Sequence, residues 1–296
     1  MKDYLIKALA LNDEIRAYGI CATAAVQEAV KRHDTYSGST LALGKTMIGA
    51  LLLGATLKGE DKITVKILGD GPTGSIVVDS NGHGTVKGYI QQPHVYLQPD
   101  ENNQPSLPAT IGRNGVLSVI KDLGLKEPFS GQVPLTAGDI SQDFTYYMAL
   151  SEQVPSAIGL SVILDEDGGV TAAGGFMIQV LPGAKESTIA QVENGLAEAN
   201  NFGQKILAEA SPEELLNDLI GSPVSVLKKM QVSFACDCSK EKFGDAMISL
   251  GEKEILAMIE EDHGAEAVCR FCNNHYQYSE DDLLELAAAA RQKKGE

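Results

Sequence analysis

Cys236-Asp237-Cys238 and, after thirty intervening residues, Cys269-Arg270-Phe271-Cys272 hold four of the five cysteines in the chain. Cys-x-Cys and Cys-x-x-Cys are spacings at which one turn offers two sulfurs to a single ion. Two such turns complete the tetrahedral set that zinc takes in closed structural sites. Tetrahedral sulfur also suits iron, so the donor set points to a class of metal and not to one element. Three readings stand at this point: a structural zinc knot, a zinc site that is also a redox switch, and permanent disulfides or an iron centre. Resting disulfides are disfavoured. Asp3, Lys7, Asp13 and Glu14 interrupt any apolar leader, and the cytosol expected on that ground keeps thiols reduced. His263 and His275 lie near enough to replace a sulfur, but with four cysteines already paired they read as solvent-facing side chains.

The surrounding composition narrows the function. A chain of 296 residues has room for one large domain and a smaller one. Its net charge of −16 opposes a generic binder of nucleic acid or of an anionic membrane. Residues 231–296 are acidic by themselves, with 7 Lys and Arg against 14 Asp and Glu, so the cysteine region is no phosphate-binding patch. The longest apolar stretch, Leu41 to Leu57, is interrupted by Lys45 and is too short to span a bilayer. The expectation is a soluble, cytoplasmic protein with neither nucleic acid nor membrane as partner.

Upstream of the cysteines, residues 3–9 and 15–21 read as strands joined at Asn12-Asp13, and Ala22 to Arg32 as a helix. Ser39 to Leu57 is apolar nearly all round, the signature of a helix buried in a core. Ile63–Leu68, Gly74–Asp79 and Thr85–Ile90 are short strands cut by Gly and Asn turns, and 91–110 reads as a long surface loop. Two more strands are expected at Gly115–Leu123 and Phe129–Leu135, then a helix from Asp139, its N-cap, to Leu150. Strands Ala157–Leu164 and Gly169–Leu181 pair across Asp165–Gly168. Residues 1–182 thus form an α+β core domain.

Past Pro182-Gly183 the period becomes helical. Ile189, Val192, Leu196, Ala199, Phe202, Ile206 and Ala210 make one apolar stripe over 185–210, interrupted by Gly195, Asn200-Asn201 and Gly203. Each glycine costs about 1 kcal/mol against alanine, so 183–230 is read as a helical linker, either an ordinary connector or a metastable one. Ser211-Pro212-Glu213-Glu214 restarts a helix with a capping box. In the zinc-binding domain, 231–296, Phe243, Met247 and Ile248, then Ile255, Leu256 and Ile259, mark two helices, and Ser279 with Asp282 caps a last one.

Two strings are decoys. Gly69-Asp-Gly71-Pro-Thr-Gly74 fits a dinucleotide fingerprint, but Ile76-Val77-Val78 makes its continuation a strand and the string a hairpin turn. Gly44-Lys45-Thr46 lies mid-helix, with no loop to cradle a phosphate. Cys21 reads as a small buried apolar residue. No catalytic constellation stands out.

Metal-bound cysteine is held as thiolate, the oxidisable form, and a neighbouring thiol resolves its sulfenic acid into a disulfide. A small module folded by its metal unfolds when ligands are lost, so this cysteine spacing can turn an oxidant into an unfolding event.

Gly69–Asp79, Gly112-Arg-Asn-Gly-Val-Leu-Ser-Val119, Ser151-Glu-Gln-Val-Pro-Ser156, Ala173-Gly-Gly-Phe176, Leu181-Pro-Gly183 and the Cys-x-Cys…Cys-x-x-Cys pattern carry a resemblance over essentially the whole chain. The chain resembles the thirty-three-kilodalton heat-shock chaperones, redox-regulated holdases of the bacterial cytosol. The resemblance implies one zinc per reduced chain on Cys236, Cys238, Cys269 and Cys272, in an inactive monomer without enzymatic activity. It implies that oxidation joins Cys236 to Cys238 and Cys269 to Cys272, expels zinc and unfolds the zinc domain with the linker. The exposed surface then binds unfolding proteins without ATP, commonly as a homodimer. The competing expectation is a thiol-disulfide oxidoreductase using Cys269 and Cys272; a zinc adaptor for nucleic acid is a third, opposed by the local acidity.

Overall fold

The computed structural model describes residues 2–101, 106–198 and 202–294. The chain divides into two compact units, Met1–Ala235 and Cys236–Glu296.

The first unit opens on a hairpin, β1 (Tyr4–Ala10) and β2 (Ile15–Cys21), whose turn places Leu11, Asn12 and Asp13 at positive φ. Helix α1 (Thr23–His33) and helix α2 (Ser37–Gly54) follow. Then come strands β3 (Lys62–Leu68), β4 (Ser75–Asn81) and β5 (Thr85–Ile90), and short helix α3 (Leu107–Ile111). Next are β6 (Val116–Asp122), β7 (Phe129–Pro134), α4 (Ile140–Leu150), β8 (Ser156–Leu164) and β9 (Val170–Val180). The unit closes with α5 (Glu186–Glu198), α6 (Phe202–Leu207), α7 (Pro212–Ile220), β10 (Ser225–Gln231) and β11 (Ser233–Phe234).

Two sheets result, one ordered β10-β1-β2-β9-β8 and the other β11-β5-β4-β3-β6-β7. Helix α2 packs on strands of both and buries every residue but Ser37, Leu41 and Lys45, as its unbroken apolar run requires. Its Leu43, Met47, Leu51 and Leu52 join Leu5, Tyr18, Val65, Val78 and Met177 in the main core. Successive side chains of a strand point to opposite faces. The other face of the five-stranded sheet therefore presents Ile6, Ala10, Ile15, Ala17, Ala172, Phe176 and Ile178. Helices α5 to α7 cover that face with Val192, Ile206, Leu215, Leu216, Leu219 and Ile220, and Phe202 meets the Phe176 ring edge-on at 5.2 Å.

Four expectations are corrected or refined by these contacts. Residues 225–230, read as part of the helical linker, belong to strand β10, which pairs antiparallel with β1; it is an edge strand with only Met230 buried, which left no clear alternation to read. The single helix expected over 185–210 appears as α5 and α6, and Ala199, Asn200 and Asn201 lie outside the described residues. The loop 91–110 contains α3, capped by the Ser106 hydroxyl, which accepts from Ala109 N; residues 102–105 of that loop are also outside the described residues. Gly195 and Gly203, read as weak points, sit at close approaches. A Cβ on Gly195 would lie 2.0 Å from the Leu219 carbonyl oxygen, and one on Gly203 would lie 2.5 Å from Ser161 Oγ. Asp139 caps α4 as expected, while Asp143 is buried and accepts from Thr136 and Ala137.

The second unit comprises α8 (Lys240–Ile248), α9 (Glu252–Asp262), the hairpin β12 (Gly264–Val268) and β13 (His275–Ser279), and α10 (Glu280–Lys294). The hairpin has no counterpart among the elements expected from the sequence. Ile255, Tyr278, Leu283, Ala287 and Ala290 are the buried core of this unit.

Candidate metal centre

The cysteines of the second unit are placed by two local devices. Cys236 and Cys238 occupy the irregular segment before α8, where Lys242 Nζ donates to the Asp237 carbonyl at 2.6 Å and to its carboxylate at 2.7 Å. The Ser239 hydroxyl caps α8 by accepting from Lys242 N. Cys269 and Cys272 lie on the turn of the β12–β13 hairpin. Cys269 N donates to Asn274 O at 2.9 Å and Asn273 N to Cys269 O at 2.7 Å, with Asn273 at a φ of 57°.

The two devices bring all four Sγ atoms within 4.8 Å of one another. Cys236 Sγ lies 3.8 Å from Cys269 Sγ, and Cys238 Sγ lies 3.3 Å from Cys272 Sγ. Cys269 and Cys272 are buried and the other two half-buried. A tetrahedron with zinc–sulfur bonds of about 2.3 Å has sulfur–sulfur edges of about 3.8 Å, so the donor set fits a zinc-sized ion. Among the described residues this is the one cluster of His, Cys, Asp and Glu so arranged. His263 pairs instead with Glu280 at 2.9 Å and His275 with Glu266 at 3.1 Å, both exposed.

Tyr276 is a member of the site that sequence reading missed. Its hydroxyl stands 3.0 Å from the Cys238 carbonyl oxygen and 3.1 Å from Cys238 Sγ, so its one proton is within reach of both. Burial raises the Cys238 thiol, but the Tyr276 hydroxyl and the neighbouring sulfurs outweigh it and bring the group down to about 7. Burial pushes the Cys272 thiol up, and the other sulfurs add to it; Cys236 is also raised, chiefly by burial. Burial thus opposes charge on Cys236 and Cys272, and a cation among the sulfurs would compensate it.

The remaining sequence candidates fall elsewhere. Cys21 is buried in the first unit, its thiol pushed up to about 11 by burial and then by Asp3. Gly44-Lys45-Thr46 lies within α2, where Lys45 pairs with Asp139, and Gly69–Gly74 joins β3 to β4. Cys269-x-x-Cys272 is on a hairpin turn with both sulfurs buried, the opposite of the accessible thiolate that disulfide exchange needs. Among the described residues, no helix is long and apolar enough to cross a membrane.

Fold and site together define a two-unit α+β protein with a four-thiol centre in its smaller unit. The family model described as Hsp33 protein matches residues 3–279, and the chain belongs to the Hsp33 family. It is 59% identical over 287 residues to a 33 kDa chaperonin of Enterococcus faecalis, covering 97% of this chain and 96% of the relative. It is 49% identical over 297 residues to the 33 kDa chaperonin of Lactiplantibacillus plantarum, covering 100% of both. The crystal structure of the 33 kDa chaperonin (heat shock protein 33 homolog) from Thermotoga maritima superposes with a TM-score of 0.90 at 33% identity, covering 100% of both chains.

Proposed function

We propose that this chain is a redox-switched chaperone of the heat-shock class. Reduced and zinc-bound through Cys236, Cys238, Cys269 and Cys272, it is an inactive cytoplasmic monomer. Oxidised, it holds unfolding proteins without ATP, as a homodimer. The observation that carries the reading is the convergence of four sulfurs in a unit with a small apolar core. Below about 70–80 residues such a core supplies no more than about 3–5 kcal/mol, and a metal commonly supplies the rest. Bound zinc would keep the four sulfurs as thiolates and contribute folding energy to the unit.

The switch follows from the thiols. A cysteine thiolate attacks one peroxide oxygen, the O–O bond breaks, hydroxide leaves, and the sulfur becomes a sulfenic acid. A second thiolate attacks that sulfur, an S–S bond forms and hydroxide leaves again. Each pair gives up two electrons and consumes one peroxide. The proposed pairs are Cys236–Cys238 and Cys269–Cys272. In the folded unit the 3.8 Å and 3.3 Å contacts run across the two turns. Once the unit opens, partners within one turn remain neighbours, whereas pairs across the turns must close loops of about thirty residues. Unfolding then spreads to α5–α7 and uncovers Ile6, Ile15, Phe176 and Ile178, apolar surface of the kind that captures non-native chains.

The test is light scattering from a heat-unfolding client protein. The peroxide-treated chain is expected to suppress scattering and the reduced, zinc-loaded chain to leave it unchanged. Equal failure of both forms, with turnover of the cysteines in insulin reduction, would instead support the thiol-disulfide oxidoreductase.

A further inference from the structure

On the face of the five-stranded sheet that carries Leu5 and Tyr18 into the main core, the pattern turns cationic towards one end. Lys7 stands opposite Tyr18 of β2 on one side and opposite Lys228 of β10 on the other; Arg16 lies two residues before Tyr18. Cross-strand partners and i, i+2 residues share a face, so all four side chains project on the core side. Helix α2, which fills that side elsewhere, ends at Gly54. Beyond it Lys7, Arg16 and Lys58 line a cavity of about 690 Å³, within the range of about 300–1,000 Å³ typical of small-molecule sites.

Arg16 Nε is buried and has no hydrogen-bond partner, a donor that costs free energy as long as it faces no acceptor. Burial, and then the like charges of Arg16, Lys228 and Lys58, push the Lys7 ammonium below its ordinary value. Glu152, which also lines the cavity, is engaged by Lys121 Nζ and the Tyr147 hydroxyl. Such crowding of cations is the more notable in a chain of net charge −16. Met148, Val154 and Leu181 give the same cavity an apolar part of its lining, beside the polar Gln153 and Gln179.

We propose that this cavity binds an organic pyrophosphate of nucleoside diphosphate size, its phosphates held by Lys7, Arg16 and Lys58 and its organic part laid on Met148, Val154 and Leu181. A planar guanidinium with an unused donor suits a tetrahedral oxyanion, and two ammonium groups beside it suit more than one negative charge. The cavity exceeds what inorganic phosphate fills, and its apolar lining gives an organic group something to bury.

The experiment is isothermal titration of the full-length, zinc-loaded chain with ADP at fixed ionic strength, with zinc content measured before and after. Saturable binding is expected, weakened at least about tenfold by Lys7→Gln and by Lys58→Gln, and unaffected by Lys253→Gln, an exposed lysine of α9. Inorganic pyrophosphate is expected to compete more weakly than ADP. Absence of ADP binding at about 1 mM overturns the proposal. So does binding that Lys58→Gln leaves unchanged, which reads independently if Lys7→Gln fails to fold. Pyrophosphate binding as tight as ADP overturns the role of the apolar lining.

Discussion

Tyr276 is the residue on which the chemistry of the four sulfurs turns, because its hydroxyl is the group outside the cluster that holds Cys238 low. Tyr276→Phe removes that donor, so the Cys238 thiol rises above about 7 and the metal loses a supporting contact. Zinc affinity is expected to fall about tenfold, the low end for loss of an outer-shell partner, in competition with a chromophoric chelator. Unchanged affinity would remove Tyr276 from the site. Cys238→Ser deletes one of the four proposed ligands and is expected to leave the purified chain with well under one zinc; full zinc content would contradict the four-sulfur assignment. The pH dependence has a definite sign. Cys236 and Cys272 are raised, so both carry protons in the metal-free cluster at neutral pH and must release them to bind metal. Zinc affinity therefore rises with pH and falls on acidification, and a flat profile between about pH 6 and 8 would contradict the thiolate assignment. The cysteines were legible because their spacing is itself a statement about coordination. Tyr276 was not, because its approach to Cys238 depends on a hairpin that strand pairing alone reveals.

At the scale of elements, legibility followed the strength of the periodic pattern. Helix α2 was plain because a helix buried on every side writes an unbroken apolar run, and the capping box of α7 was plain because Ser211 and Glu214 act locally. Strand β10 was hidden because an edge strand with one buried residue has little alternation to show. Gly195 has two sides. Along the helix it lowers intrinsic helix stability; in three dimensions it is a point where the backbone of α7 comes close to α5. Gly195→Ala would push a methyl group to 2.0 Å from the Leu219 carbonyl oxygen, so α5 and α7 must separate. A loss of about 1–3 kcal/mol in the thermal stability of this layer is expected, with partial client binding by the reduced protein. Wild-type stability with wild-type silence would mean that the α5–α7 layer does not gate the sheet face.

The whole molecule joins two units with cores of unequal size. The first has a large core spanning two sheets, the second five buried side chains and a sulfur cluster. Removing zinc from the reduced chain with a chelator is expected to abolish the circular-dichroism signal and protease resistance of residues 236–296 while the strands of the first unit persist. Retention of both would show that the second unit needs no metal. The central claim is that oxidation of the four cysteines uncovers the sheet face beneath α5–α7. Hydrogen exchange tests it most directly, comparing the reduced, zinc-loaded chain with the peroxide-treated chain. Amides of 186–198 and 212–220 are expected to lose protection together with those of 236–294, while α2 stays protected. Loss of protection confined to 236–294, with α5 and α7 as slow as in the reduced chain, would contradict it.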